Sequence, residues 1–184
     1  MSIRDVKGHA VEAPFTADEI FELAQQIERQ AVVLFRRSAE MMQGKTRVRH
    51  ALLELADLEE RHEKAFAQMR VQFAQKGAEL VREPDSPAGR YMQQRIDSRD
   101  FQAEADPEKL LAGREGARDI LEKAVEIERD CLRLYRSLEK LLPAGHERQK
   151  TAGIAEEESR HLALLEKELG GLAAAAGEGT GVSE

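Results

Sequence analysis

Residues 20–36 read IFELAQQIERQAVVLFR, and residues 120–136 read ILEKAVEIERDCLRLYR. Aligned without a gap, Ile20, Glu22, Ala24, Ile27, Glu28, Arg29, Leu34 and Arg36 recur as Ile120, Glu122, Ala124, Ile127, Glu128, Arg129, Leu134 and Arg136. Eight identities in seventeen positions exceed what composition gives, and mark an internal repeat. A second match, at an offset of 99, brings Ala56, Glu59, Arg61 and His62 onto Ala155, Glu158, Arg160 and His161. Both matched segments have helical rather than strand periodicity, so the chain reads as two related helical hairpins.

Punctuation along the sequence fits that division. Thr16 is an expected N-cap, with Glu19 three residues on to complete a capping box and Phe15 placed to staple against Ile20. The first helix should run to about Gly44, and a second from Thr46 to Lys76, stopped by Gly77. Residues 78–105, which carry Pro84, Pro87 and Gly89, read as a long irregular crossover connection, after which Asp106 and Pro107 suit an N-cap and first turn. Gly113 and Gly116 should interrupt the helix begun there before a third long helix over about 117–142, ended by Pro143 and Gly145. A fourth is expected over about 146–169. Residues 1–15 are left as an N-terminal segment, and residues 170–184, ending in AAAAGEGTGVSE, as a disordered tail.

Composition narrows the class further. The 184 residues suffice for one domain with a core of its own, and 41% hydrophobic with 34% charged residues, five prolines and no tryptophan favour an all-α fold. A net charge of -7 disfavours nucleic acid, and the basic stretch Lys45, Arg47, Arg49 and His50 is too short to reverse it. The lone cysteine, Cys131, excludes an intrachain disulfide and a four-cysteine metal site. The opening residues lack the apolar stretch of a signal peptide, and no run of about 18 apolar residues follows, so a cytoplasmic protein without membrane contact is expected.

Geometry then singles out six residues. In an antiparallel hairpin, residues equally far from the turn lie level. The midpoint of Glu28 and Glu59 falls between Gln43 and Gly44, and that of Glu128 and Glu158 falls on Pro143, each at an expected turn. The i to i+3 spacing puts Glu59 with His62, and Glu158 with His161, on one helix face. A single glutamate on a charge-rich helix is ordinarily a surface residue, but these lie in apolar stripes. Glu28 is in line with Phe21, Ala24, Ala31, Val32 and Phe35, and Glu128 with Leu121, Ala124, Cys131, Leu132 and Tyr135. Glu59 and His62 share a stripe with Leu52, Leu55, Ala56 and Phe66, while Glu158 and His161 share theirs with Ile154, Ala155 and Leu165. Four buried carboxylates would each cost several kcal/mol unpaired, more than two histidines can offset, so cations are required. Oxygen-rich ligation with one imidazole per ion suits iron or manganese and, less specifically, zinc. One Glu from each of two helices and a Glu-x-x-His from each of the others is the ligand pattern of dimetal carboxylate bundles. His9, His50 and His146 fall outside the stripes and read as surface residues, and Cys131 as a small core residue.

Through IERQAVVLF with LEERH, and IERDCLRLY with EESRH, residues 16–169 resemble the rubrerythrin branch of the ferritin-like di-iron carboxylate superfamily. The resemblance implies a ferritin-like four-helix bundle whose two metal ions are bridged by Glu59 and Glu158. Glu28 with His62 would complete one ion's shell, and Glu128 with His161 the other's. It implies a redox protein reacting with H2O2 or O2, as a peroxidase or ferroxidase in oxidative-stress or iron handling. The chain departs from that branch in three ways. Cys131 stands one turn after Glu128, where peroxidase-active members usually carry a further glutamate. The E-x6-Tyr pattern persists as Glu128 to Tyr135, but its mate in the first hairpin is Phe35. The single cysteine of these 184 residues leaves no place for a rubredoxin among them, so electrons are expected to come from a separate donor such as rubredoxin or a reductase. Tyr135 is open to two readings, a hydrogen bond to a ligand carboxylate or a core tyrosine with an unrelated partner. Iron storage or delivery, a manganese-catalase-like activity, and a helical interaction module with incidental glutamates are the rival functions. A homo-oligomer, in the simplest case a dimer, is expected because a long connection can exchange between protomers.

Overall fold

The computed structural model describes residues 3–4, 10–11, 15–42, 44–77, 80, 85–98 and 116–178. Among these, five helices make up an all-α bundle: α1 (Ala17–Met41), α2 (Thr46–Gln75), α3 (Pro87–Ser98), α4 (Ala117–Leu141) and α5 (His146–Glu178). Ahead of them, Ile3–Arg4 and Ala10–Val11 pair as two short antiparallel strands.

The capping box forms as the sequence requires. The Glu19 amide donates to Thr16 Oγ1 at 3.2 Å, and the Thr16 amide donates to Glu19 Oε2 at 2.7 Å, satisfying two orphan donors of α1. Phe15 and Ile20 join the same apolar cluster. Gly44, at φ +82°, and Gly77, at φ +59°, take the left-handed backbone that a side chain would strain, and so close the first turn and end α2. The α1–α2 and α4–α5 hairpins form the two main packed pairs, and α2 against α5 with α1 against α4 join them. Cross-hairpin ion pairs follow the antiparallel register. Near the turn Arg36 meets Glu60 at 2.7 Å, and far from it Arg70 grips Asp18 at 2.5 and 2.6 Å. In the second hairpin Arg129 meets Glu166 at 2.8 Å. These pairs are exposed and worth little individually.

Two expectations are corrected. The connection 78–105 is not irregular throughout, because Pro87–Ser98 is helical. Ser86 Oγ accepts from the Gly89 amide at 3.0 Å, and Pro87 takes the first helical position, where its missing N–H costs nothing. Ala88, Gly89 and Met92 are buried, and Arg133 of α4 sits over the Tyr91 ring, 4.6 Å from its centroid. The second correction concerns the tail. Instead of ending at 169, α5 continues through Gly170 and Gly171 to Glu178. Two mid-helix glycines cost about 1 kcal/mol each relative to alanine, but Leu169 and Leu172 pack on the core at either side and a run of four alanines follows. Asp106, Pro107, Gly113, His9 and residues 179–184 lie outside the described residues.

The core is divided. One apolar cluster takes Ile20, Phe21, Ala24 and Ile27 from α1, with Leu134, Tyr135 and Leu138 from α4 and Phe66, Met69 and Phe73 from α2. The other takes Ala31, Leu34 and Phe35 from α1, with Ile120, Leu121 and Ala124 from α4 and Leu52, Leu55 and Ala56 from α2. Between the two, in the sequence of every long helix, stand the six glutamates and histidines.

Candidate metal centre

All six residues are buried, from Glu28 and Glu158 with no exposure to His161 with 5%. They converge as two ligand groups: Glu28, Glu59, His62 and Glu158 in one, and Glu59, Glu128, Glu158 and His161 in the other, with the ligand atoms of each within 4.8 Å of one another. Glu59 and Glu158 belong to both groups. Each group could hold a metal ion.

The imidazoles face inward through Nδ1. His62 Nδ1 lies 2.9 Å from Glu59 Oε2, 2.9 Å from Glu158 Oε1 and 3.8 Å from Glu28 Oε1. His161 Nδ1 lies 3.0 Å from Glu59 Oε1, 3.3 Å from Glu158 Oε2 and 3.7 Å from Glu128 Oε2. The two rings stack at 5.5 Å with 16° between their planes.

His62 Nδ1 and Glu59 Oε2 are a hydrogen-bonded pair, but most of the other polar atoms of the cluster have no such partner. Glu28 Oε2, Glu59 Oε1, both oxygens of Glu128, both oxygens of Glu158 and His161 Nδ1 are buried without a hydrogen-bond partner. Buried polar atoms are normally paired, and unpaired carboxylate oxygens are the costliest exceptions. Carboxylate oxygens and an imidazole nitrogen that crowd one another without hydrogen bonds suit a common electropositive centre lying between them. The donor set therefore fits cations, with hard carboxylate oxygens supplemented by one borderline imidazole in each group.

Charge balance leads to the same point. Burial, then the charges of Glu158 and Glu59, push the Glu28 carboxyl well above the usual range. Burial does the same to Glu128, against the pull of the nearby His161 imidazole. For His62, burial opposes protonation, but Glu158 and Glu59 outweigh it and push the imidazole up to about 10. His161 is pushed up to about 12, as Glu128, Glu158 and Glu59 overcome burial. Glu158 is also penalised by burial, yet contacts with both imidazoles and Glu128 bring it down to about 2. Without a cation, protons do the neutralising.

Two further residues touch the candidate ligands. Tyr135 donates from Oη to Glu28 Oε1 at 2.5 Å, so its partner is one of the candidate ligand carboxylates. Its ring lies 4.8 Å from that of Phe66. On the other side, His62 Nε2 lies 3.0 Å from Glu157 Oε2. Glu157 escapes a reading of sequence because it sits within Glu156-Glu157-Glu158, where a charge run looks like a solvated face. The signal that could have found it is its repeat mate, Leu58, a place where the two hairpins differ in chemistry. Cys131 is buried, and burial, then the nearby glutamates beginning with Glu158, push its thiol well up, so it stays protonated. His50 and His146 are exposed and apart from the site.

No protein-family model, curated protein or solved structure matches the chain. Among the described residues, no helix is long and apolar enough to cross a membrane.

Proposed function

We propose that the chain is a ferritin-like dimetal carboxylate protein of rubrerythrin-like type, which holds two iron ions and reduces H2O2 or O2 with electrons from a separate donor. The observation that carries this reading is the pair of buried ligand groups sharing Glu59 and Glu158. Sharing two carboxylates brings two cations close, and adjacent metals suit two-electron chemistry at a small oxidant. Glu28 with His62 would hold one ion and Glu128 with His161 the other. When bound, the irons supply the two electrons by passing from ferrous to ferric.

The chain's own residues set the conditions for that chemistry. Tyr135 fixes the Glu28 carboxylate through its hydroxyl. Glu157 accepts the Nε2–H of His62, which leaves Nδ1 free to bind metal and orients the ring. Apolar clusters on both sides keep bulk water from the carboxylates. Reduction of H2O2 to two waters consumes two electrons and two protons, so a metal-loaded protein turning over needs a donor for the electrons and solvent for the protons.

Anaerobic loading with Fe(II), followed by separate additions of H2O2 and O2, tests the reading. Two irons per chain and the appearance of ferric absorbance are expected. Full loading with no spectral response to either oxidant would falsify the redox assignment. Turnover with an added reductant marks a peroxidase, whereas retention of many irons per chain marks storage.

A further inference from the structure

The two ligand groups are related by the repeat, yet their surroundings are not. Both polar neighbours identified above serve the same group. Tyr135 donates to Glu28 at 2.5 Å, and Glu157 lies 3.0 Å from Nε2 of His62. Applying the repeat offsets to these two neighbours gives Phe35 and Leu58 for the other group. Phe35 is wholly buried and Leu58 partly so, both within the apolar cluster that contains Ala124. Neither can donate or accept a hydrogen bond. The ligands register the difference: both oxygens of Glu128 are buried without a partner, whereas Glu28 is left with one such oxygen.

Hydrogen bonds to ligands matter because they fix the tautomer and orientation of an imidazole and hold a carboxylate in its binding pose. Removing one such partner typically costs 10–100-fold in metal affinity. From this we infer that the two metal positions are inequivalent: the position at Glu28 and His62 fills first and holds its ion more tightly than the position at Glu128 and His161. Tyr135 and Glu157 are positioning residues for the tight position. The inference rests on the dimetal reading above, and concerns the order of binding rather than the reaction.

Calorimetric titration of the metal-free full chain with Zn(II) is the test, since carboxylate and imidazole ligands take zinc readily. Two ions should enter in two steps, with dissociation constants at least about tenfold apart. In crystals grown with one equivalent of Zn(II), anomalous density should concentrate between Glu28 and His62. Mutual repulsion of two cations would also split the steps, so variants assign them. Glu157→Leu, which copies the first hairpin at a half-exposed position, should weaken the tight step by about 10–100-fold and leave the weak step in place. Glu157→Gln keeps an acceptor oxygen and should restore most of the tight affinity, which loss of packing alone would not allow. Leu58→Glu should tighten the weak step. Two bound ions with equal occupancy at one equivalent, or a tight step indifferent to Glu157→Leu, would overturn the inequivalence and leave the dimetal reading standing. No uptake of either Zn(II) or anaerobic Fe(II) would remove both.

Discussion

Glu158 lies at the chemical centre of the molecule: it belongs to both ligand groups, and its oxygens lie 2.9 Å from His62 and 3.3 Å from His161. Replacing it by alanine should therefore abolish loading at both positions, not one. Metal stabilises a fold that binds it by mass action, so added metal should raise the melting temperature of the native chain and leave that of Glu158→Ala unchanged. A second expectation follows from the protons that stand in for cations. His62 and His161 have folded values near 10 and 12 against an ordinary 6.5, so their contribution to the metal-free fold is complete below about pH 6.5 and is lost as pH rises through 10 to 12. Glu28 and Glu128, raised by burial, act in the same direction above their ordinary 4.5. Glu158, lowered to about 2, acts oppositely, but only in acid, where its contribution is lost as pH falls from 4.5. The metal-free protein should melt at a lower temperature at pH 9.5 than at pH 7, while metal affinity increases over the same range because binding expels protons. A melting temperature that climbs from pH 7 to 9.5 without metal would contradict these shifts. Sequence alone made the convergence of the six glutamates and histidines legible, because each interrupts an apolar helical stripe at a height fixed by its hairpin turn. Glu157 was hidden in a charge run, which shows nothing about which glutamate reaches across to His62, and only its departure from its repeat mate Leu58 sets it apart.

At the scale of elements, the informative cases are those where local signals conflicted. Around α3, Pro84, Pro87 and Gly89 argue for a loop, whereas Ser86 and Pro87 are also a helix start, and burial of Met92 against the core settles the competition. Ser86→Ala should cost about 0.5–2 kcal/mol, read as faster amide exchange in α3 and a small fall in melting temperature. In α5, Gly170 and Gly171 look like a helix stop, yet tertiary contacts of Leu169 and Leu172 carry the helix past them. A methyl added at either glycine meets nothing within 4 Å. The double variant Gly170→Ala, Gly171→Ala should thus gain about 1–2 kcal/mol from helix propensity, measurable by chemical denaturation. A helix ending at 169 would show no such gain. The long helices themselves were legible because capping box, apolar period and left-handed glycines at 44 and 77 all agree.

For the molecule as a whole, the polar layer splits what would otherwise be a continuous apolar core. Every helix of the two hairpins passes through that layer and contributes to the clusters on either side. Metal binding should therefore slow amide exchange along all four long helices together, and chelation should lower the melting temperature while retaining helical circular dichroism. The architecture was legible as two hairpins because the repeat is strong, whereas the way α3 packs on α4 depends on contacts distant in sequence, such as Arg133 with Tyr91. The repeat has one more consequence. Two separate copies of a single hairpin could bring the same six glutamates and histidines together, but identical copies would give both candidate ligand groups identical neighbours. Tyrosine opposite phenylalanine, and glutamate opposite leucine, require the halves to vary independently. With both hairpins in one chain, a repeated set of candidate ligands sits inside surroundings that do not repeat.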